Sequence, residues 1–372
     1  MTFSPIFKKA YWTLAAAGAT YILALLLFTN ESLQRHALYL HKLNAGSWQD
    51  LNKPEQFGFS KNQISPFNIN TPDDETLYAW LILPIGLYAK HEDTLLAEPT
   101  GLASDITKTT AFDLLTSDPE SRLVINCGSL VSLKRYNAGT VAQGWRTDTY
   151  RSLSAASSEK IFVLAVDYRG FGYSTGDPSE EGVIIDAVAT VNWALEVARI
   201  PSERIVLLGQ SLGTAVTTAV AEHYITLDPK VEFAGVVLVA GFTDIPGLML
   251  SYSFGGIFPV LGPLKGYPWL QKWFANRMKD TWDTKERIKN IVQRSDRVRL
   301  SILHAKSDRD IPWQHAEGIF QAAANGTSQE PLTIKDINQA KQTSDLGEGG
   351  ILDIWDDGKN RIIRKEVLRH GG

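Results

Sequence analysis

Five short runs of near-continuous Val, Ile and Leu punctuate the chain: RLVINC (Arg122 to Cys127), IFVLAVD (Ile161 to Asp167), RIVLLG (Arg204 to Gly209), AGVVLVAG (Ala234 to Gly241) and RLSILHA (Arg299 to Ala305). Strands that are apolar at nearly every position are buried on both faces, as in a parallel sheet. Between them, Glu180 to Ala198 and Ser211 to Thr226 read as helices, and the alternation predicts a doubly wound, mostly parallel α/β domain with helices on both faces. An earlier strand is expected at LYAWLILP (Leu77 to Pro84), after the turn signal TPDDE. Near the end, ILDIWDDGKNRIIRKEVL reads as two strands joined at Asp357-Gly358. Residues 31–70, polar-aromatic and broken by Pro54 and Pro66, are expected to form an irregular arm.

Two segments depart from this rhythm. From Ala10 to Phe28 the chain carries no charged residue, directly after Lys8 and Lys9, and this run is long enough to cross a bilayer as a helix. The rival, a cleaved signal peptide, lacks its small-x-small cleavage site, so a retained single-pass signal anchor is expected. The second segment, Phe242 to Leu264, has Asp244 as its one charged residue and is dense in Gly, Pro and aromatics; KGYPWLQKWF then adds two Trp. A buried crossover connection would be more regular, and an apolar cap over a site for a greasy substrate is expected instead.

Composition narrows the function classes. The 372 residues carry 37 Lys plus Arg against 41 Asp plus Glu, a formal charge of −4, which argues against a nucleic-acid partner. The single cysteine, Cys127, excludes an internal disulfide and reads as a buried core thiol. No His/Cys cluster has metal-ligand spacing, so neither a metal nor another cofactor is expected.

Candidate chemistry centres on ERIVLLGQSLGTAV, where Ser211 occupies the middle of G-x-S-x-G between a strand and a helix. A serine at such a turn lifts its Oγ above the sheet and places the next backbone N–H, that of Leu212, where an oxyanion would form. Attack needs a base for the Oγ proton and a carboxylate to orient that base. Asp308, in the loop after the strand ending at Ala305, is the candidate acid; Asp310 is expected to cap the helix that Pro312 introduces. After Asp308 two histidines remain: His315, read as a surface residue of that helix, and His370, which follows the last strand. Asp167 and Arg169 are read as structural ties of the loop beside the site, and His36, His41, His91, His223 and His304 as ordinary core or surface residues.

DYRGFGYSTG (Asp167 to Gly176), GQSLGTAV and HAKSDRDIPW together resemble the membrane-anchored α/β-hydrolase-domain lipid hydrolases, the branch of lysophosphatidylserine and monoacylglycerol lipases. The resemblance runs from the N-terminal anchor to the last residue. It implies an α/β-hydrolase fold with residues 1–30 as anchor, 31–100 as juxtamembrane arm and first strands, and 101–372 as the hydrolase domain with a cap at about 242–295. It further implies a membrane location in the endoplasmic reticulum, a lipid ester as substrate, Ser211 as nucleophile and Asp308 as acid. The family's oxyanion loop, His-Gly-Asn-x-Gly, corresponds in its second half to NAGTVAQGW, which makes Asn137 the candidate second oxyanion donor. CGSLVSLKRY (Cys127 to Tyr136) stands before it as an apparent insertion. The family's base lies in Gly-x-His-Asn after the last strand. His370 stands three positions ahead of that place, so either His370 or a histidine beyond Gly372 is expected to serve. A hydrolase-fold membrane protein without activity and a thioesterase or peptidase are the alternatives that these residues leave open.

Overall fold

In the computed structural model, which describes residues 5–41, 49–128, 140–251, 253–254 and 258–370, ten strands form one sheet. In chain order they are β1 (Ile64–Asn70), β2 (Thr76–Ile82), β3 (Arg122–Asn126), β4 (Ile161–Val166) and β5 (Ile205–Gln210). They continue as β6 (Gly235–Val239), β7 (Val298–Ala305), β8 (Gln342–Asp345), β9 (Ile351–Asp356) and β10 (Arg361–Leu368). Their order across the sheet is β1-β2-β4-β3-β5-β6-β7-β10-β9-β8. From β4 to β10 all neighbours are parallel; β1 and β2 at one edge and β8 and β9 at the other add antiparallel pairs.

The near-continuous apolar runs form the central strands because both sheet faces are covered. On one face Leu123, Ile125, Leu207, Leu238 and Ile302 join a large core with the helices Glu180–Asn192, Leu212–Ile225, Thr284–Arg294 and Gln314–Gly326. On the other face Val124, Val163, Ala165 and Leu208 pack with Tyr150 of the helix Gly144–Ala156. Cys127 is buried at the end of β3 in the first of these cores, as expected, and burial pushes its thiol pKa up. After β3 the chain moves outward to β4 and then returns past β3 to β5. This reversal between β3 and β5 is the point where open α/β sheets hold their ligands, at the carboxyl ends of the strands.

The terminal strand pair falls where the pattern placed it: β9 and β10 are antiparallel partners around Asp357-Gly358. The expectation of an irregular arm over residues 31–70 is corrected twice. β1 lies within it, and Glu31–Tyr39 is a helix whose N-cap Asn30 accepts the Leu33 N–H at 3.2 Å. That helix is bonded to the segment from Arg277 to Trp282. Gln34 Nε2 donates to the Arg277 carbonyl at 2.9 Å, and Gln34 Oε1 accepts the Lys279 N–H at 2.9 Å. Tyr39 donates to Asp280 at 2.7 Å and accepts the Trp282 indole N–H at 3.2 Å. Ahead of it, the helix Pro5–Leu27 is exposed over most of its length, and Phe7–Leu27 is long and apolar enough to cross a membrane. The region expected as a cap carries the helices Ile245–Ser251 and Pro268–Ala275, with Leu261, Leu264 and Ala275 packed against Leu25 of the N-terminal helix.

Candidate active site

β5 ends at Gln210, and one residue turns the chain into the helix Leu212–Ile225. That residue, Ser211, has φ 54° and ψ −125°, a left-handed conformation that a side chain with a Cβ adopts only under constraint. Backbone bonds supply the constraint. The Ser211 N–H donates to the Val239 carbonyl of β6 at 2.9 Å, and the Ser211 carbonyl accepts the Thr214 N–H at 2.9 Å and the Thr214 hydroxyl at 2.7 Å. A Cβ on Gly213 would lie 1.8 Å from the Gly128 carbonyl oxygen, and one on Gly209 would lie 2.3 Å from that of Gly213. The G-x-S-x-G spacing is therefore a packing requirement between the end of β3 and the first helical turn. The Leu212 N–H is among the first donors of that helix, which have no acceptor inside it.

Two strands away along the same sheet edge, β7 leads into the loop that carries Asp308. Asp308 Oδ1 accepts the backbone N–H groups of Asp310 and Ile311, each at 2.9 Å. The expected capping by Asp310 is corrected here: Trp313 occupies the N-cap position of Gln314–Gly326 with no side-chain bond, and Asp310 acts through its N–H toward Asp308. The reason is local, since the carboxylate two residues earlier reaches both N–H groups of this tight turn.

The imidazole beside Asp308 is His304, on β7 and buried. Its Nε2 lies 2.9 Å from the Ile311 carbonyl and 3.6 Å from Asp308 Oδ2. A carbonyl can only accept, so Nε2 carries the proton and gives it to Ile311; the carboxylate is beyond hydrogen-bond reach. Burial lowers the His304 pKa and keeps the ring neutral near neutral pH. His304 thus pins the acid loop to the strand from which it departs. Sequence reading passed over it, although a histidine four residues before a candidate acid, at a strand end, was the available signal.

His315 is a second correction. It lies on the helix after the acid, as expected, but it is half-buried rather than a surface residue. Its Nδ1 is 3.3 Å from the Thr243 N–H nitrogen and 3.1 Å from the Thr243 hydroxyl, and its Nε2 is 3.3 Å from the Ser251 hydroxyl. It accordingly ties the start of the cap region to the acid side of the sheet, and burial lowers its pKa.

On the β3–β4 side, Asp167 is fully enclosed at the end of β4. Its Oδ1 accepts the Val141 N–H, and its carbonyl accepts the Ser174 hydroxyl at 2.6 Å. Loss of solvent pushes its carboxyl up to about 7, against the opposing pull of the Arg146 charge. Gly172 has no alternative here, because a Cβ would fall 1.9 Å from Asp167 Oδ2. Arg146 Nη1 donates to the Thr140 carbonyl at 2.9 Å, and the same guanidinium fills the space beside Gly128, where a Cβ would meet Nη2 at 2.3 Å. Arg146 therefore touches both shoulders of residues 129–139. Asn137 and the greater part of the Cys127–Tyr136 insertion lie outside the described residues. Arg169 is structural as read: it spans Asp73 and Asp186, with contacts of 2.8 and 2.7 Å. No sequence signal marked Arg146, whose partners come from three separate segments.

His370 follows β10 and is exposed. Among the described residues no histidine hydrogen-bonds to Ser211 Oγ, and no cluster of His, Cys, Asp or Glu is arranged to hold a metal ion. The chain leaving β10 nevertheless runs beside the acid loop, since the Lys306 N–H donates to the Leu368 carbonyl at 2.8 Å.

Residues 139–327 match the family model described as alpha/beta hydrolase fold. The chain belongs to the alpha/beta hydrolase fold family. Within this family it is similar to the lysophosphatidylserine lipase ABHD12 of Gallus gallus, with 26% identity over 301 residues, 80% of this chain and 68% of that protein. It is also similar to Protein ABHD12B of Homo sapiens, with 32% identity over 169 residues, 44% of this chain and 42% of that one. Among solved structures, an alpha-beta hydrolase from Vibrio vulnificus superimposes with a TM-score of 0.51 over 77% of this chain and 78% of that chain, at 12% identity. The lipase branch suggested by the motifs is thus represented among the relatives of this alpha/beta hydrolase.

Proposed function

We propose that this chain is a membrane-anchored serine hydrolase that cleaves the carboxylic ester of a lipid through an acyl-enzyme. The observation that carries this reading is Ser211, held at positive φ between β5 and its helix, on the sheet edge that also presents Asp308. Relatives named as lysophosphatidylserine lipases support the lipid ester as substrate class. The exposed apolar helix Phe7–Leu27 supports a single-pass anchor, with the endoplasmic reticulum as the first compartment to test.

In this reading a histidine on the segment leaving β10, His370 or one that follows it, takes the Ser211 Oγ proton as the oxygen attacks the ester carbonyl. Asp308 Oδ2, the oxygen not engaged by the loop N–H groups, orients that imidazole. The tetrahedral oxyanion accepts the Leu212 N–H, with the Asn137 backbone as second donor. The imidazolium returns the proton to the departing alcohol. Water, deprotonated by the same base, then releases the fatty acid and restores the serine.

Labelling the full chain in membranes with a fluorophosphonate tests the proposal. Covalent modification at Ser211, absent in Ser211→Ala, is expected, together with release of fatty acid from a monoacyl lipid ester. A folded chain whose Ser211 stays unmodified would overturn it, and turnover of peptides or thioesters without lipid esters would move it to another hydrolase class.

A further inference from the structure

Leu25 packs on the cap region. Beside that contact, at the end of the apolar N-terminal helix, a cavity of about 210 Å³ remains, walled on the helix side by Ala24, Leu25 and Phe28 and on the cap side by Leu261, Phe274 and Met278. Its lining is almost wholly apolar. Tyr21 and Val260 also line it, and the Tyr21 hydroxyl donates to the Val260 carbonyl at 3.0 Å. This volume is below the roughly 300–1,000 Å³ of pockets that enclose compact drug-sized ligands, and it suits one slender chain.

The surroundings indicate which chain. The cavity is level with the last turns of Phe7–Leu27, the end of a span long enough for a bilayer. Beside it the cap helix Pro268–Ala275 and the residue before it present Trp269 and Tyr267, 68% and 59% exposed. Exposed Trp and Tyr at the end of a membrane span sit at the boundary between acyl chains and head groups. Lys265, Lys272, Arg277 and Lys279 are exposed on the same stretch, a cationic rim suited to lipid phosphate. Met249 lines the cavity and also packs against the main core, on a helix whose Ser251 meets His315. The cavity therefore borders the element that connects to the acid side of the sheet.

We propose that this cavity is a binding site for the acyl chain of a single-chain phospholipid, taken directly from the leaflet that the C-terminal end of the anchor crosses. The inference rests on the membrane-anchored lipid-ester reading above and adds the path by which substrate leaves the bilayer.

The test uses the full chain in phosphatidylcholine vesicles containing a lysophosphatidylcholine with a diazirine in its acyl chain. After illumination, adducts are expected on both walls, in residues 21–29 and 249–278. Ala24→Trp and Thr29→Trp, both at exposed positions, should fill the cavity and reduce those adducts about fourfold to fifteenfold, the loss when one or two methylenes are denied burial. Leu14→Trp, farther along the exposed face of the helix, should leave them unchanged. The same two cavity variants should raise KM for a vesicle-borne lipid ester, and Leu14→Trp should not. Adducts confined to the helix, or insensitive to both cavity variants, would overturn the site. Absence of soluble-ester turnover in the unmodified chain would instead overturn the hydrolase reading, while the adduct map still decides the cavity.

Discussion

Asp167 accepts the backbone N–H of Val141, so a fully buried carboxyl at the end of β4 holds the shoulder of the segment from which a second oxyanion donor would come. The carboxyl is raised from 3.8 to about 7 by desolvation. Between those values the folded chain binds a proton that the unfolded chain has released, so stability falls as pH rises through the window. Asp167→Asn removes that proton uptake. Urea unfolding of the two proteins from about pH 5 to about pH 8 should show the wild type losing stability relative to Asp167→Asn. A pH-independent difference would mean that Asp167 is ionised throughout.

Ser211 stores strain at its positive φ, and glycine adopts that conformation freely. Ser211→Gly should therefore abolish fluorophosphonate labelling while raising stability by about 1 kcal/mol, read as a higher Tm. Loss of stability would show that the Ser211 side chain contributes packing that its exposure does not suggest.

Asp308→Asn keeps an Oδ1 able to accept the Asp310 and Ile311 N–H groups, so the loop should persist. What changes is the charge offered to the base. Ester turnover should fall by about 10³–10⁴-fold with an unaltered Tm. A decrease smaller than tenfold would remove Asp308 from the acid role.

His304 acts on the same loop through Ile311, and its two substitutions should separate. Glutamine at 304 can still donate to the Ile311 carbonyl, whereas alanine cannot. His304→Gln should retain turnover within about threefold, and His304→Ala should lose roughly tenfold to a hundredfold. Burial holds the His304 pKa below the ordinary 6.5, so the unfolded chain takes up a proton that the folded chain refuses as pH falls through that window. His304→Gln should accordingly flatten the loss of stability on the acid side, measured by Tm against pH.

The central strands were readable because burial on both faces leaves a continuous apolar run, and the elbow was readable because close approach demands glycine on either side of Ser211. β1 was missed for a physical reason. At the sheet edge its ISPFNIN mixes polar residues and a proline into the strand, which only an edge position tolerates. The helix Glu31–Tyr39 is held by Gln34 and Tyr39 bonding to residues more than two hundred positions away, and local pattern cannot show such partners. The same applies to His315, bonded to Thr243 and Ser251; His304 and Arg146 have nearby partners, but a turn has to bring those partners back to them. Each is an ordinary residue in sequence and gains its role from segments the fold brings to it.

Gln34, with three hydrogen bonds to Phe28, Arg277 and Lys279, joins the end of the N-terminal helix to the cap region without slack. Arg35 and Tyr39 both reach Asp280 and reinforce the joint. An enzyme on a long flexible leash can sweep a neighbouring membrane or the surrounding solution. On the proposed membrane-anchored reading, this chain is mounted on a short bracket that would set the height of the Ser211 edge above the bilayer. Under the proposed function, such a mount would restrict it to lipids of the leaflet that faces the cap region, and the address at which the anchor is inserted would become part of its substrate specificity.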